Sequence, residues 1–244
     1  MRVPKLFLVT YAALRLVNPA AYAEPNIPGE GDGWVSLFNG IDLSGWITPE
    51  GAHHWQVIDG VIDYEAKGGN LVTEQSFGNY ELKIDWRIKR TEGPLYNALQ
   101  YNEDGTVRCG ADGKPEKVKI ANADSGVYLR GVPISQINIW CWPCGSGQLW
   151  AFHKSRDAAV SKAAIPRVNA DNPVGEWNRF HVILQGEELK VWLNETLVID
   201  GRFPGMPADG PIALQHHGGI KAKTGTWTGA DSLVQFRNIK IRRL

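Results

Sequence analysis

The 244-residue chain carries 26 basic and 26 acidic residues, is 43% apolar and has no net formal charge. That is enough apolar material for one full core, and it lacks the cationic excess of a nucleic-acid-binding domain. Its 27 glycines and 14 prolines favour a turn-rich chain, and its ten tryptophans ask for a use.

The first element in chain order is a targeting segment. Residues 1–23 have basic Arg2 and Lys5, an apolar run interrupted by Arg15, and the small-residue junction Ala21-Tyr22-Ala23. This pattern predicts a secretory signal cleaved before Glu24, hence a secreted or periplasmic protein with no integral membrane segment after cleavage. Losing three cations and no acid leaves the mature chain mildly acidic. Residues 24–33, "EPNIPGEGDG", read as a Pro/Gly linker, and residues 34–244 as a single domain.

Short strands follow. "WQVIDGVIDY" predicts a hairpin turning at Asp59-Gly60. "NYELKIDWRIK" alternates, with Tyr80, Leu82, Ile84, Trp86 and Ile88 on one face and Glu81, Lys83, Asp85 and Arg87 on the other. "SGVYLRG", "SQINIW", "RFHVILQG", "ELKVWLNETLVID", "GPIALQHH" and "VQFRNIKIRRL" continue the pattern, and no segment has a long helical period. The expectation is an all-β, two-sheet antiparallel sandwich. Residues 90–121 and 141–176 interrupt the rhythm as long polar segments, of the kind that are functional or unstructured.

Cys109, Cys141 and Cys144 are the three cysteines. An exported chain permits disulfides. The "CWPC" pair follows a strand and does not open a helix, which argues against a thioredoxin-type dithiol. A bridge from Cys109 to one of the pair is expected first, then a local Cys141–Cys144 loop, then zinc, which would need further ligands nearby. "NET" at Asn194 is a glycosylation sequon by pattern.

The non-core side of the strands collects Asp85 and Arg87, Tyr128 and Arg130, then Gln136, Asn138 and Trp140, then Ala213, Gln215 and His217. If these strands share one sheet, its outer face is rich in amides, guanidinium groups and rings. Such a surface suits sugars, whose hydroxyls take paired hydrogen bonds and whose C–H faces pack on aromatics. The plainer reading makes Arg130–Asp85 a surface ion pair, the rings cover for a sheet and the amides partners of loop backbone.

"LFNGIDLSGW", "GGNLVTEQSFGNYELKIDWRI", "DSGVYLRG", "GEWNRFHVILQGEELKVWLNETLV", "GPIALQHHG" and "FRNIKIRRL", in that order, resemble the 3-keto-disaccharide hydrolase domain family from about Trp34 to Leu244. The resemblance implies a concanavalin-like jelly roll acting on glycosides oxidised at C3, a small-molecule carbohydrate substrate with no nucleic-acid partner. A C3 ketone acidifies the C2 proton, so one base, a donor for the enolate oxygen and an acid for the leaving group suffice. The expected roles are His217 or Asp85 as base and Arg130 on the enolate oxygen, with Arg87, Tyr128, Gln136, Asn138, Trp140 and Gln215 binding substrate. A divalent metal could polarise the ketone, although no spacing demands one. The chain departs from the family pattern where Cys141 stands in place of an expected acid. That departure keeps a second reading open, a non-catalytic carbohydrate-binding jelly-roll module.

Overall fold

The computed structural model describes residues 33–49, 55–64, 69–217, 219–220, 227–228 and 233–244. The expected leader, and the linker up to residue 32, lie outside the described residues.

The main sheet runs β13-β12-β11-β6-β17-β4-β3. Its strands are β3 (Trp55–Ile58), β4 (Val61–Tyr64), β6 (Tyr80–Ile88), β11 (Asn178–Gln185), β12 (Glu188–Leu193), β13 (Thr196–Arg202) and β17 (Val234–Arg243), with β1 (Val35–Ser36) added on β17. The second sheet runs β10-β9-β14-β5-β2 and is built from β2 (Trp46–Ile47), β5 (Leu71–Phe77), β9 (Asp124–Tyr128), β10 (Gln136–Trp140) and β14 (Gly210–Leu214). Every pairing in both sheets is antiparallel. The two sheets form the expected jelly-roll sandwich. Two small hairpins, β7 (Tyr96–Leu99) with β8 (Lys117–Ile120) and β15 (Gly219–Ile220) with β16 (Trp227–Thr228), stand outside it.

Alternation makes the core. Leu82, Ile84, Trp86, Phe180 and Val182 project inward from the main sheet, and Val127, Ile137, Ile139, Ile212 and Leu214 from the second, each almost wholly buried. Burial of each such side chain stabilises by about 1.5–3 kcal/mol. The β3–β4 hairpin turns at Asp59 and Gly60 with φ of 51° and 75°, the left-handed pair that a two-residue hairpin loop needs.

The two long segments are ordered. Residues 96–120 form the β7–β8 hairpin and continue through isolated bridges at Tyr101–Val107 and Cys109–Pro115. The second carries a short helix, α1 (Ala158–Ala163), whose first turn is capped by Asp157.

The expected disulfide is not formed: all three cysteines are free thiols. Cys109 is exposed on the hairpin extension. Cys144 lies in the turn after β10, its Sγ 3.6 Å from Gln148 Oε1, and burial pushes its pKa up to about 12. Burial raises the Cys141 thiol as well, so neither behaves as a reactive thiolate. The Asn194 amide is fully used inside the fold, where Nδ2 donates to Ala170 O and Asn178 Oδ1, both at 2.8 Å.

Candidate functional site

Register decides which polar residues meet, because residues opposite each other in an antiparallel pair share a face. On β9 and β10, Gln136 faces Tyr128, Asn138 faces Gly126, and Trp140 faces Asp124. Ala213 of β14 faces Tyr128, and the Gln215 amide N–H donates to Gly126 O at 2.9 Å. His217, two residues further on, brings Nε2 to 3.4 Å from Asp124 Oδ2. The outer face of the second sheet therefore carries three rows: Trp140–Asp124–His217, Asn138–Gly126–Gln215 and Gln136–Tyr128–Ala213.

Side chains tie the rows together. Gln136 Nε2 donates to Asn138 Oδ1 at 2.7 Å and to Gln215 Oε1 at 2.6 Å, and Gln215 Nε2 donates to the Tyr128 hydroxyl at 3.2 Å. Gly126 makes this relay fit, since a Cβ there would lie 2.5 Å from Gln136 Nε2 and 2.8 Å from Ile137 O. Asn70, beside β14, accepts from His216 N–H at 2.9 Å. Asn138 Nδ2 is buried and has no partner. Such an atom costs free energy unless a ligand or water meets it.

Trp140 is held rigidly. Its indole N–H donates to Gly145 O at 2.8 Å, and its ring stacks on Trp142 at 4.3 Å and 7°. Trp150 stands perpendicular to both rings, with His153 stacked on it at 3.9 Å.

Asp124 is the residue that sequence reasoning missed. Burial raises its carboxyl pKa to about 8. Its signal lay in the parity of "DSGVY", which puts 124, 126 and 128 on one face. It is the sole carboxylate in the three rows.

Three expected site residues stand elsewhere. Asp85 and Arg87 belong to β6 in the main sheet. Asp85 accepts from Arg179 Nε at 2.5 Å, from Arg179 Nη2 at 3.0 Å and from Asn238 Nδ2 at 2.7 Å. Arg87 donates to Gln235 Oε1 at 2.6 Å and lies over the Trp177 ring. Arg130 is 1% exposed, enclosed by the chain itself. The strand ends at Tyr128, so alternation no longer aims the side chain. Its guanidinium donates to three backbone carbonyls, those of Gly186 at 2.7 Å, Gly78 at 2.9 Å and Pro207. The expected donor to an enolate oxygen is a clamp on three loops.

A family model described as the 3-keto-α-glucoside-1,2-lyase-like domain matches residues 33–242. The chain belongs to this family. A curated relative named 3-keto-disaccharide hydrolase, from Bacteroides thetaiotaomicron, is 25% identical over 76 residues, a stretch that covers 26% of this chain and 26% of the relative. Two solved structures from Parabacteroides distasonis, provisionally named glycosyl hydrolases, share the fold at 22% identity. One has a TM-score of 0.52 over 91% of this chain and 100% of its own, the other 0.51 over 87% and 84%.

Asp124 and His217 are two ligand-type side chains, but among the described residues no cluster of three or more His, Cys, Asp or Glu could hold a metal ion. No helix among the described residues is long and apolar enough to cross a membrane.

Proposed function

We propose that the chain is an exported enzyme that cleaves 3-keto-glycosides, with Asp124 and His217 as its acid–base pair. The observation that carries this reading is a single buried carboxyl with raised pKa, 3.4 Å from a histidine, in rows otherwise built of amides and rings. Ordinary glycosidases need two carboxyls flanking the scissile bond. One carboxyl suits elimination next to a ketone.

Asp124 in its ionised form takes the C2 proton; with a raised pKa it is a stronger base than an ordinary carboxylate. The electron pair moves into the C2–C3 bond, and the oxygen at C3 gains negative charge. Asn138 Nδ2, buried and unpartnered, is the donor for that oxygen in place of Arg130. His217 gives a proton to the departing C1 substituent. The C3 carbonyl re-forms as the C1–O bond breaks, leaving a C1–C2 double bond; water then adds its hydroxyl to C1 and gives its proton to His217, while Asp124 returns the abstracted proton to C2, so the net change is hydrolysis. Gln136 and Gln215 hold hydroxyls, and Trp140 packs against a C–H face.

Cys141, where the family pattern has an acid, favours the binding-module reading. Against it, Asp124 supplies a carboxyl on the neighbouring strand. The test is to incubate purified protein with a 3-keto-glucoside, and with the same compound deuterated at C2, and to follow aglycone release. The enzyme reading expects release slowed by C2 deuterium. Binding without release would leave the module. Export is tested by mass spectrometry of protein from the native host, which should begin at Glu24.

A further inference from the structure

The outer face of the main sheet, on the opposite side of the sandwich from Asp124, holds a groove of about 640 Å³ that the proposed reaction does not use. That volume is usual for a ligand cleft. Register builds its floor. Asp85 of β6 faces Arg179 of β11, and in the next row of the same face Lys83 faces His181, which in turn faces Trp192 of β12. Trp177, just before β11, and Glu195, in the turn between β12 and β13, complete the lining.

Both tryptophans are held in place by their neighbours. The guanidinium groups of Arg87 and Arg237 lie 4.7 and 3.9 Å from the Trp177 ring centre, and the Asn172 side chain donates to Trp177 O at 2.8 Å. His181 stacks on Trp192 at 5.1 Å and is itself tied to Glu81. Each tryptophan is half-buried, so part of it stays open. The lining balances its charges: two cations, Lys83 and Arg179, stand with two carboxylates, Asp85 and Glu195. Asp85 and Arg179 neutralise each other through two hydrogen bonds. Lys83 and Glu195 have no ion-pair partner among the described residues, and the Lys83 ammonium lies 4.6 Å from the Trp34 ring centre. The groove therefore keeps a strong donor and a strong acceptor unspent between two fixed rings.

An acidic chain would meet Glu195 and a basic chain would meet Lys83. A sugar hydroxyl accepts and donates at once and can use both, and pyranose C–H faces pack on indole rings. We propose that this groove binds a neutral saccharide chain, its rings packed against Trp177 and Trp192 and its hydroxyls met by Lys83 and Glu195. The binding-module reading puts sugar on the Asp124 face, so this is a separate site. It leaves Asp124 and His217 open, and it stands or falls apart from the proposed reaction.

The experiment is isothermal titration with cellohexaose, maltohexaose and mannohexaose, alongside an oligogalacturonate and a chitosan oligomer. At least one neutral chain should bind, and more tightly than either charged one. Trp192→Ala and, separately, Lys83→Met should each weaken that binding by about tenfold. Trp140→Ala, on the other sheet, should bind as wild type does. Aglycone release from a small 3-keto-glucoside should match wild type in the two groove variants, since neither touches the second sheet. If one groove variant fails to fold by circular dichroism, the other decides. If wild type releases no aglycone, the proposed reaction falls and the titration still decides this site. No binding of any neutral chain, equal or tighter binding of a charged one, undiminished binding by the folded groove variants, or binding lost in folded Trp140→Ala would overturn the proposal.

Discussion

Asp124 and Arg130 lie six residues apart on and just beyond one strand, and burial acts on them in opposite ways. Asp124 has a carboxyl that burial disfavours in its charged form. The folded chain retains a proton that the unfolded chain releases near pH 4. The stability this retained proton represents is intact below about pH 4 and is lost as pH rises through about 8. Asp124→Asn should therefore melt at a higher temperature than wild type at pH 8–9, with the gap closing towards pH 4. It should also lower turnover by about 10²–10⁴-fold, the usual worth of a positioned acid–base group. Wild-type kcat should rise with pH as Asp124 ionises towards about 8 and fall again where His217 loses the proton it donates, a bell-shaped profile. A flat kcat profile, or an active Asn variant, would remove Asp124 from the role. Arg130 is a buried cation whose two terminal nitrogens donate to three carbonyls in three separate connections, while its Nε has no partner. Arg130→Ala leaves those carbonyls without partners, and should destabilise by about 3 kcal/mol or more in urea denaturation, since hydrogen bonds to charged groups contribute about 1.5–3 kcal/mol each. kcat per folded molecule should hold. Loss of kcat at unchanged stability would return Arg130 to the site.

At the scale of elements, β9 and β10 carry the site, and Gly126 is the position that lets them. Its missing Cβ leaves room for the Gln136 amide to cross between Asn138 and Gln215. Gly126→Ala should push that amide aside, raise KM, and lower the melting temperature, while Asp124 keeps its place opposite Trp140. An Ala variant with wild-type KM would mean that the relay does not bind substrate. The same two strands show what alternation reveals. Period-two spacing correctly assigned Ile137 and Ile139 to the core and Gln136, Asn138 and Trp140 to the other side. It could not say that β6 lies in the other sheet, because alternation fixes a face relative to its own strand and carries no information on which strands pair. Asp85 and Arg87 were misplaced for that reason, and Arg130 because the strand stops two residues before it. Asp124 was legible by parity. What the sequence did not reveal was its burial, which depends on the far-off Trp140 and His217.

At the scale of the whole molecule, the sandwich holds without any covalent staple among the described residues. Its two sheets bury a continuous core, which a chain of this length can supply from apolar area alone. The three thiols differ in access: Cys109 is exposed, whereas Cys141 and Cys144 are partly covered in the segment beside β10. A thiol reagent added to native protein should modify Cys109 rapidly. The other two should react slowly, at the rate at which the 141–150 segment opens, because burial keeps both largely protonated. Unfolding in guanidinium without reductant should release three reactive thiols. The melting temperature should be the same with and without dithiothreitol. A count of one in guanidinium, or a melting temperature lowered by dithiothreitol, would mean that the protein in solution closes a bridge. If Cys109 is one of the bridged pair, it has to leave its place beside Pro115 to reach the turn after β10, drawing the β7–β8 extension with it, whereas a Cys141–Cys144 bridge leaves that extension in place.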